Sequence, residues 1–268
     1  MAIWIDPPRW PAHGRLWSHL VSDTDYAELH VFARANGIPA RGFEGDHYDV
    51  PQERYAALVA AGAGAVEGRE LVRILLASGL RFRKRRGERP LASYRDALHG
   101  EPSPHRLDVV ASGFEPLDES TVAAAVFMSD AAGSLVLVHT PAREAWGAPA
   151  GGREPQESVR EGAVREVWEE AGLQVSPGAL VPCGYERISF DAAPPGGRWP
   201  HRRNHVAVFT GTVEGVAPPL QPQLPDVDAA EWVSSAEAER RCHGAFWWPL
   251  LAYVLGPQGI PGGRDPGP

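Results

Sequence analysis

Cysteine is nearly absent from this chain. Of its 268 residues only Cys183 and Cys242 are cysteines, far apart and without a CxxC spacing, which excludes a disulfide framework and a structural zinc ribbon and fits a reducing compartment. Long apolar runs are missing too. The start, "MAIWIDPPRW", is interrupted by Asp6, Pro7 and Pro8, so it lacks the apolar core of a leader or a membrane span, and a cytoplasmic protein with no membrane partner is expected. No internal repeat is found. The net charge of -8 is wrong in sign for a chain built as a whole to coat nucleic acid, which is not expected as a partner. What remains is ordinary globular composition, in a length that suits two domains.

The first stretch, 1–82, reads as a small α/β module. "AIWI" is a short strand, and helices are expected in "DTDYAELHVFARANG", "QERYAALVAAGA" and "GRELVRILLASG", each stopped by glycine. The next stretch, 83–106, opens with the basic run around "RFRKRRGER" and passes into proline and small polar residues, so it reads as a linker. From 107 to 256 strands dominate. "TVAAAVFM" and "SLVLVH" flank a turn, and "ALVPCGYERISF", "NHVAVFTGTV" and "AEWV" are further strands before a last helix at "AFWWPLLAYVL". The tail, 257–268, is glycine, proline and charge, a composition that predicts disorder.

Between those strands lies "GGREPQESVREGAVREVWEEAGL", with apolar faces from Val159, Ala163, Val164, Val167 and Trp168. Its helix is expected to start near Glu154 and Pro155 and to stop at Gly172. Glu166, Glu169 and Glu170 then stand at i, i+3 and i+4 and project from one face. One explanation is a solvated face with an Arg165–Glu169 pair. The other is a hard-cation site, since carboxylate oxygens suit Mg2+ and Mn2+, which bridge protein carboxylates to substrate phosphates.

The full spacing runs Gly151, five residues, Glu157, seven residues, then Arg165-Glu166-Val167-Trp168-Glu169-Glu170-Ala171-Gly172-Leu173. It resembles the complete Nudix box, and chance would produce such a match on the order of once in a million chains of this length. The resemblance implies an α/β (α+β) fold, an α/β/α sandwich with a mixed sheet preceded by the small α/β module. It also implies metal-dependent attack of water on a diphosphate linkage, with a nucleoside diphosphate derivative as the small-molecule substrate. On the same basis Glu166, Glu169 and Glu170 would hold Mg2+ (or Mn2+), and Glu157 and Arg165 would brace the loop and helix. Gly151, Gly152 and Gly172 would shape the loops. Glu166 or Glu170 is expected as the base, with Glu214, Asp226, Asp228 and Glu231 as candidates outside the box. Where the family often carries Pro-Gly-Gly, this chain has Ala150 in place of the first glycine, a strain if that position needs positive φ. Many proteins with this box dimerise, so a homodimer stays open.

Trp146, Tyr185 and Trp199 are candidates to stack on a base, and Arg187, Arg198, Arg202 and Arg203 to meet phosphate. Sugar nucleotides, dinucleotides and oxidised nucleoside triphosphates are the candidate classes. In the N-terminal module "WSHLVSDTDYAELH" and "GDHYDVP" resemble DUF4031, a domain of unknown function. Its His13, His19, His30 and His47 are interspersed with Asp6, Asp23, Asp46 and Asp49, residues that can ligate a metal or cap helices. Two other readings stand beside the hydrolase. One is a nucleotide-sensing regulator that binds without cleaving while the N-terminal half and basic linker contact nucleic acid. The other makes the N-terminal module the principal enzyme.

Overall fold

A computed structural model describes residues 2–82, 85–141, 144–192 and 195–256. The chain divides into two compact units, Met1–Ser93 and Tyr94–Pro268. The first has a five-stranded sheet built on β1 (Ile3–Ile5), β2 (Trp10–Ala12), β3 (Arg15–Ser22), β4 (Tyr48–Pro51) and β5 (Gly64–Ala65), with helices α1 (Tyr26–Ala35), α2 (Gln52–Ala60) and α3 (Gly68–Ala77). β3 is its spine. One side of β3 pairs antiparallel with β2 and then β1, its other side pairs antiparallel with β4, and β5 continues the sheet parallel to β1. Ile3, Ile5, Leu20, Leu29, Val50, Leu58 and Leu71 fill the core. The three expected helices are present, while β2, β3, β4 and β5 are additions to the reading of the sequence.

The stretch read as a linker, 83–106, is a correction. It contains β6 (Arg89–Arg95) and the first residues of β7 (His105–Ala111), and the division between units falls within β6. Proline and small polar residues here make turns between paired strands rather than a free connector. The expected disordered tail, 257–268, lies outside the described residues.

The second unit adds β8 (Thr121–Ser129), β9 (Leu135–Thr140), β10 (Ala145–Gly147), β11 (Ala150–Gly152), helix α4 (Val159–Ala171), β12 (Val181–Phe190), β13 (Arg203–Thr212), β14 (Ala229–Val233), and helices α5 (Ser235–Cys242) and α6 (Trp248–Leu255). The sheet runs β10-β9-β8-β13-β12-β7-β6, with β11 paired to β8 and β14 to β9. It is mixed, because β13 and β8 are parallel while the neighbouring pairs are antiparallel. β8 and β9 are partners only at Ser129 and Leu135. Beyond that point they separate, and β11 takes the free edge of β8. Ala124, Val126, Met128, Ala207 and Phe209 form one apolar face and bury Val159, Ala163, Val167 and Ala171 of α4. On the opposite face Leu250 of α6 lies against Gly184, and Trp247 lies near Phe127 at 6.0 Å between ring centroids. Helices therefore cover both faces, as a sandwich requires. Cys183 and Cys242 are both buried and unbridged. Among the described residues no helix is long and apolar enough to cross a membrane.

Candidate active site

α4 is set by its two ends. Ser158, not Glu154 or Pro155, is the N-cap, and with Glu161 it forms a reciprocal capping box. The Glu161 amide donates to Ser158 Oγ (3.2 Å) and the Ser158 amide to Glu161 Oε2 (2.7 Å). Two N–H groups that the first turn leaves free are thereby satisfied. At the other end Gly172 has φ 71°, and its amide donates to the Trp168 carbonyl at 2.8 Å. A side chain here would strike the Gln221 backbone. That backbone is held because the Gln221 and Gln223 amides donate to the Ala171 and Glu169 carbonyls (3.0 and 2.7 Å), which the last turn would otherwise leave unpaired.

With the helix fixed, Arg165 gathers the carboxylates. Its Nη1 donates to Glu166 Oε1 (2.7 Å) and Glu169 Oε2 (2.8 Å), its Nη2 to Glu157 Oε1 (2.9 Å) and the Gly152 carbonyl (2.7 Å), and its Nε to Glu157 Oε2 (3.2 Å). Glu157 also accepts from the Glu154 amide at 2.6 Å. Glu170 stands apart from this fan and takes the Ala150 amide at 2.9 Å. Glu166 and Glu170 are each only 7% exposed.

Glycines make the room. A Cβ on Gly151 would overlap the Glu166 carboxyl group, and one on Gly162 would come within 2.7 Å of Glu157 Oε1. Gly162 falls in the unspecified seven-residue stretch, and only the loop's path reveals why it is small. Gly152 contributes its carbonyl, since a side chain there would meet nothing within 4 Å. Ala150 lies in β11 and is not among the residues with positive φ, so the substitution for glycine carries no strain.

The charges respond to this packing. Burial pushes the Glu166 carboxyl above its ordinary range, against the hydrogen bond from Arg165. Glu157 moves the other way, held low by its hydrogen bonds from Arg165, whose own pKa is raised chiefly by Glu157. Glu169 and Glu170 sit in the last turn of α4, where the helix dipole disfavours anions.

The residues proposed outside the box are dispersed. Asp228 receives His139 Nδ1 at 2.7 Å, Glu231 receives Arg241 at 2.8 Å, and Glu214 and Asp226 are exposed in loops. Trp146 stacks under Arg241 (4.4 Å) beside His139. Tyr185 and Trp199 are buried. Arg187 is engaged by Asp108 at 2.7 Å inside the protein, Arg198 lies on Trp199, and Arg202 donates to the Phe190 and Asp191 carbonyls. Arg203 is exposed at the start of β13.

One acidic residue was not singled out from the sequence. Glu186 on β12 is a register partner of Val206 and Val109, and Val206 partners Ala123, which partners Gly152. Side chains alternate along strands, so Glu186 lies on the face opposite α4. Burial pushes its carboxyl up to about 8. The signal was a lone glutamate at an inward position of a strand otherwise apolar on that face.

Comparison with known proteins agrees with this division of the chain. Residues 119–253 match the NUDIX domain family, and residues 3–78 match the family described as Protein of unknown function (DUF4031). The chain is 34% identical over 92 residues to Phosphatase NudJ of Escherichia coli (strain K12), covering 34% of this chain and 53% of that protein. It thus spans about half the length of the curated relatives it matches. Among solved structures, a Caenorhabditis elegans Ap4A hydrolase binary complex matches at TM-score 0.37 and 19% identity, covering 49% of this chain and 95% of that one. A bifunctional NMN adenylyltransferase/ADP ribose pyrophosphatase from Francisella tularensis, complexed with AMP and a manganese ion, matches at TM-score 0.37 and 16% identity, covering 54% and 42%.

Proposed function

The chain belongs to the Nudix family, and from that premise we propose that its second unit hydrolyses a diphosphate linkage in a nucleoside diphosphate derivative, using Mg2+ or Mn2+. The observation that supports this most is the fan of Glu157, Glu166 and Glu169 on Arg165, with Glu166 packed against Gly151 and Glu170 held beside it by the Ala150 amide. Four carboxyl groups share the neighbourhood of one guanidinium, that of Arg165, and two of them, Glu166 and Glu170, are buried. A divalent cation relieves such an excess, and an all-oxygen donor set suits a hard ion.

Glu166, Glu169 and Glu170 would hold the ion. When bound, it neutralises diphosphate oxygens and lowers the pKa of an attacking water. Arg165 keeps Glu166 and Glu169 oriented, Glu157 keeps Arg165 in place, and Glu166 or Glu170 would accept the water proton as the new P–O bond forms and the bridging P–O bond breaks, the leaving phosphate departing as its anion.

The test is product release from a panel of sugar nucleotides, dinucleotides and nucleoside triphosphates with Mg2+ or Mn2+, for wild type, Glu169→Gln and Glu170→Gln. Metal-dependent turnover of one class, reduced at least ~100-fold in both variants, is expected. A panel that stays inert while a nucleotide still binds would favour the sensing regulator instead.

A further inference from the structure

A second set of metal-ligating side chains lies in the first unit. His19, His47 and Asp49 each offer one ligand atom, and these atoms all lie within 4.8 Å of one another, the one such group of three or more among the described residues. The sheet brings them together. His19, on the spine strand β3, is the direct register partner of Asp49 on β4, and His47 immediately precedes β4. The two imidazoles meet edge to face at 5.0 Å between centroids.

Each ring is oriented from behind by a buried carboxylate. His19 Nδ1 lies 3.1 Å from Asp6 Oδ2, and His47 Nδ1 lies 2.6 Å from Asp46 Oδ1. Asp6 and Asp46 are 2% and 4% exposed, and both are fixed in turn. Asp6 accepts from the His19 amide (2.5 Å) and Trp10 Nε1 (3.0 Å), and Asp46 accepts from the Phe82 amide (3.0 Å). An ionised carboxylate only accepts hydrogen bonds, so Nδ1 carries the proton in both rings. Nε2 is then the ring atom turned toward Asp49, and the Nε2 atoms of His19 and His47 stand 3.9 and 3.3 Å from the same oxygen, Asp49 Oδ1. Against the effect of burial, the hydrogen bonds to Asp46 and Asp49 push the His47 pKa up to about 9, so a bound cation takes the place of the proton that His47 Nε2 otherwise directs at Asp49.

We propose that His19 Nε2, His47 Nε2 and the Asp49 carboxylate bind one divalent transition-metal ion, with Asp6 and Asp46 as the positioning residues. Ligand bonds of about 2.0–2.2 Å set the donor atoms of a tetrahedral or octahedral centre roughly 3–3.5 Å apart, close to the spacing of His47 and Asp49 and slightly tighter than that of His19 and Asp49. Two imidazoles and one carboxylate favour Zn2+, Fe2+, Co2+ or Ni2+ over Mg2+ and Ca2+, which prefer oxygen alone. Three protein ligands leave a coordination position open, and the ligand side chains are partly exposed. The site is therefore of the kind that carries a water or a substrate oxygen, in a domain without an assigned activity. Two other such groups of the unit are engaged elsewhere. Asp23 clamps the Ala2 amide and Trp4 Nε1, and His30 pairs with the Tyr48 hydroxyl.

The test uses the full chain carrying Glu169→Gln and Glu170→Gln, so that the second unit contributes no competing carboxylate site, stripped of metal and titrated with Co2+. One equivalent is expected to give the visible d–d bands of a nitrogen-ligated centre, displaced by Zn2+, and X-ray absorption of the Zn2+ form should show two imidazoles. Asp49→Asn and His47→Gln in the same background should abolish the bands, and Asp46→Asn should weaken binding about 10–100-fold. Identical titrations with and without Asp49→Asn would overturn the proposal, and so would a featureless titration of the parent chain. Either result would leave an imidazolium–carboxylate network. If the His47 variant fails to fold, the absorption spectrum of the parent chain decides by itself.

Discussion

A methyl group on residue 151 would occupy the space of the Glu166 carboxyl group. The Gly151→Ala variant must therefore move either β11 or the glutamate. Because β11 is paired to β8 along its whole length, the glutamate is the part that yields. Overpacking of this kind costs about 1–3 kcal/mol, and the same displacement takes Glu166 away from Arg165. A lower melting temperature together with at least a tenfold lower kcat is expected, and an unchanged kcat would dissociate Glu166 from the reaction. Glu186 gives a prediction of the opposite sign. The folded chain holds its proton up to about pH 8, whereas its ordinary value is 4.5. The folded state thus binds more protons than the unfolded one between those values, and stability falls as pH rises through that window. At about 1.4 kcal/mol per pKa unit the loss is of the order of several kcal/mol. Urea midpoints measured from about pH 5 to about pH 9 should decline for wild type by more than for Glu186→Gln, with the variant the more stable at the alkaline end. Parallel curves would mean that Glu186 is ionised in the fold.

α4 shows what a short range of sequence can and cannot disclose. Its existence, its apolar stripe of Val159, Ala163 and Val167, and its stop at Gly172 are all local and were legible. Its start was not, because Pro155 is a plausible first residue while Ser158 and Glu161 make a capping box whose geometry decides the matter. Ser158→Ala should accordingly cost about 1 kcal/mol, read as a lower denaturation midpoint. A shift within error would place the start of the helix elsewhere. The placement of Glu166, Glu169 and Glu170 along one side of the helix was visible as i, i+3 and i+4 spacing, but the meeting of Glu166 and Glu169 on Arg165 while Glu170 is held by the Ala150 amide was not, since it depends on β11 lying against the helix. β3 was missed for a related reason. "RLWSHLVS" interrupts its apolar alternation with Ser18 and His19, and His19 is held there by Asp6, just after β1, and by Asp49 on β4, both outside the segment. Trp168, read as part of an apolar face, is 43% exposed, because the stripe that meets the sheet is narrower than the spacing suggested.

At the scale of the molecule, the boundary between the units was the least legible feature. Strand pairing over long sequence separation defines it, and the basic, proline-containing composition of 83–106 pointed to a connector. Much of that stretch belongs to the fold of the second unit. His105 is fully buried. Its amide donates to Asp96 Oδ1 (2.8 Å), its Nδ1 meets the Ser103 carbonyl (2.8 Å), and its Nε2 receives the Leu98 amide (3.1 Å). β7 pairs with β12 from His105 to Ala111. A fragment starting at residue 107 therefore loses a buried side chain and the first two positions of that ladder, and it uncovers Phe190, the ring that packs on His105. A fragment starting at residue 89 keeps all of β6 and β7. With a loss of about 1–3 kcal/mol for the buried hydrogen-bonded group, and about 2–4 °C per kcal/mol in a unit of this size, the shorter fragment should melt several degrees below the longer one. The longer fragment should hydrolyse the preferred substrate within about twofold of the full chain if the carboxylate site is complete in itself, since the hydrogen bonds from Arg165 to Glu157, Glu166, Glu169 and the Gly152 carbonyl, and that from the Ala150 amide to Glu170, all lie within residues 150–170. A large deficit in the longer fragment, with its melting temperature intact, would show instead that the first unit contributes to turnover, and would direct attention to the metal chemistry at His19, His47 and Asp49.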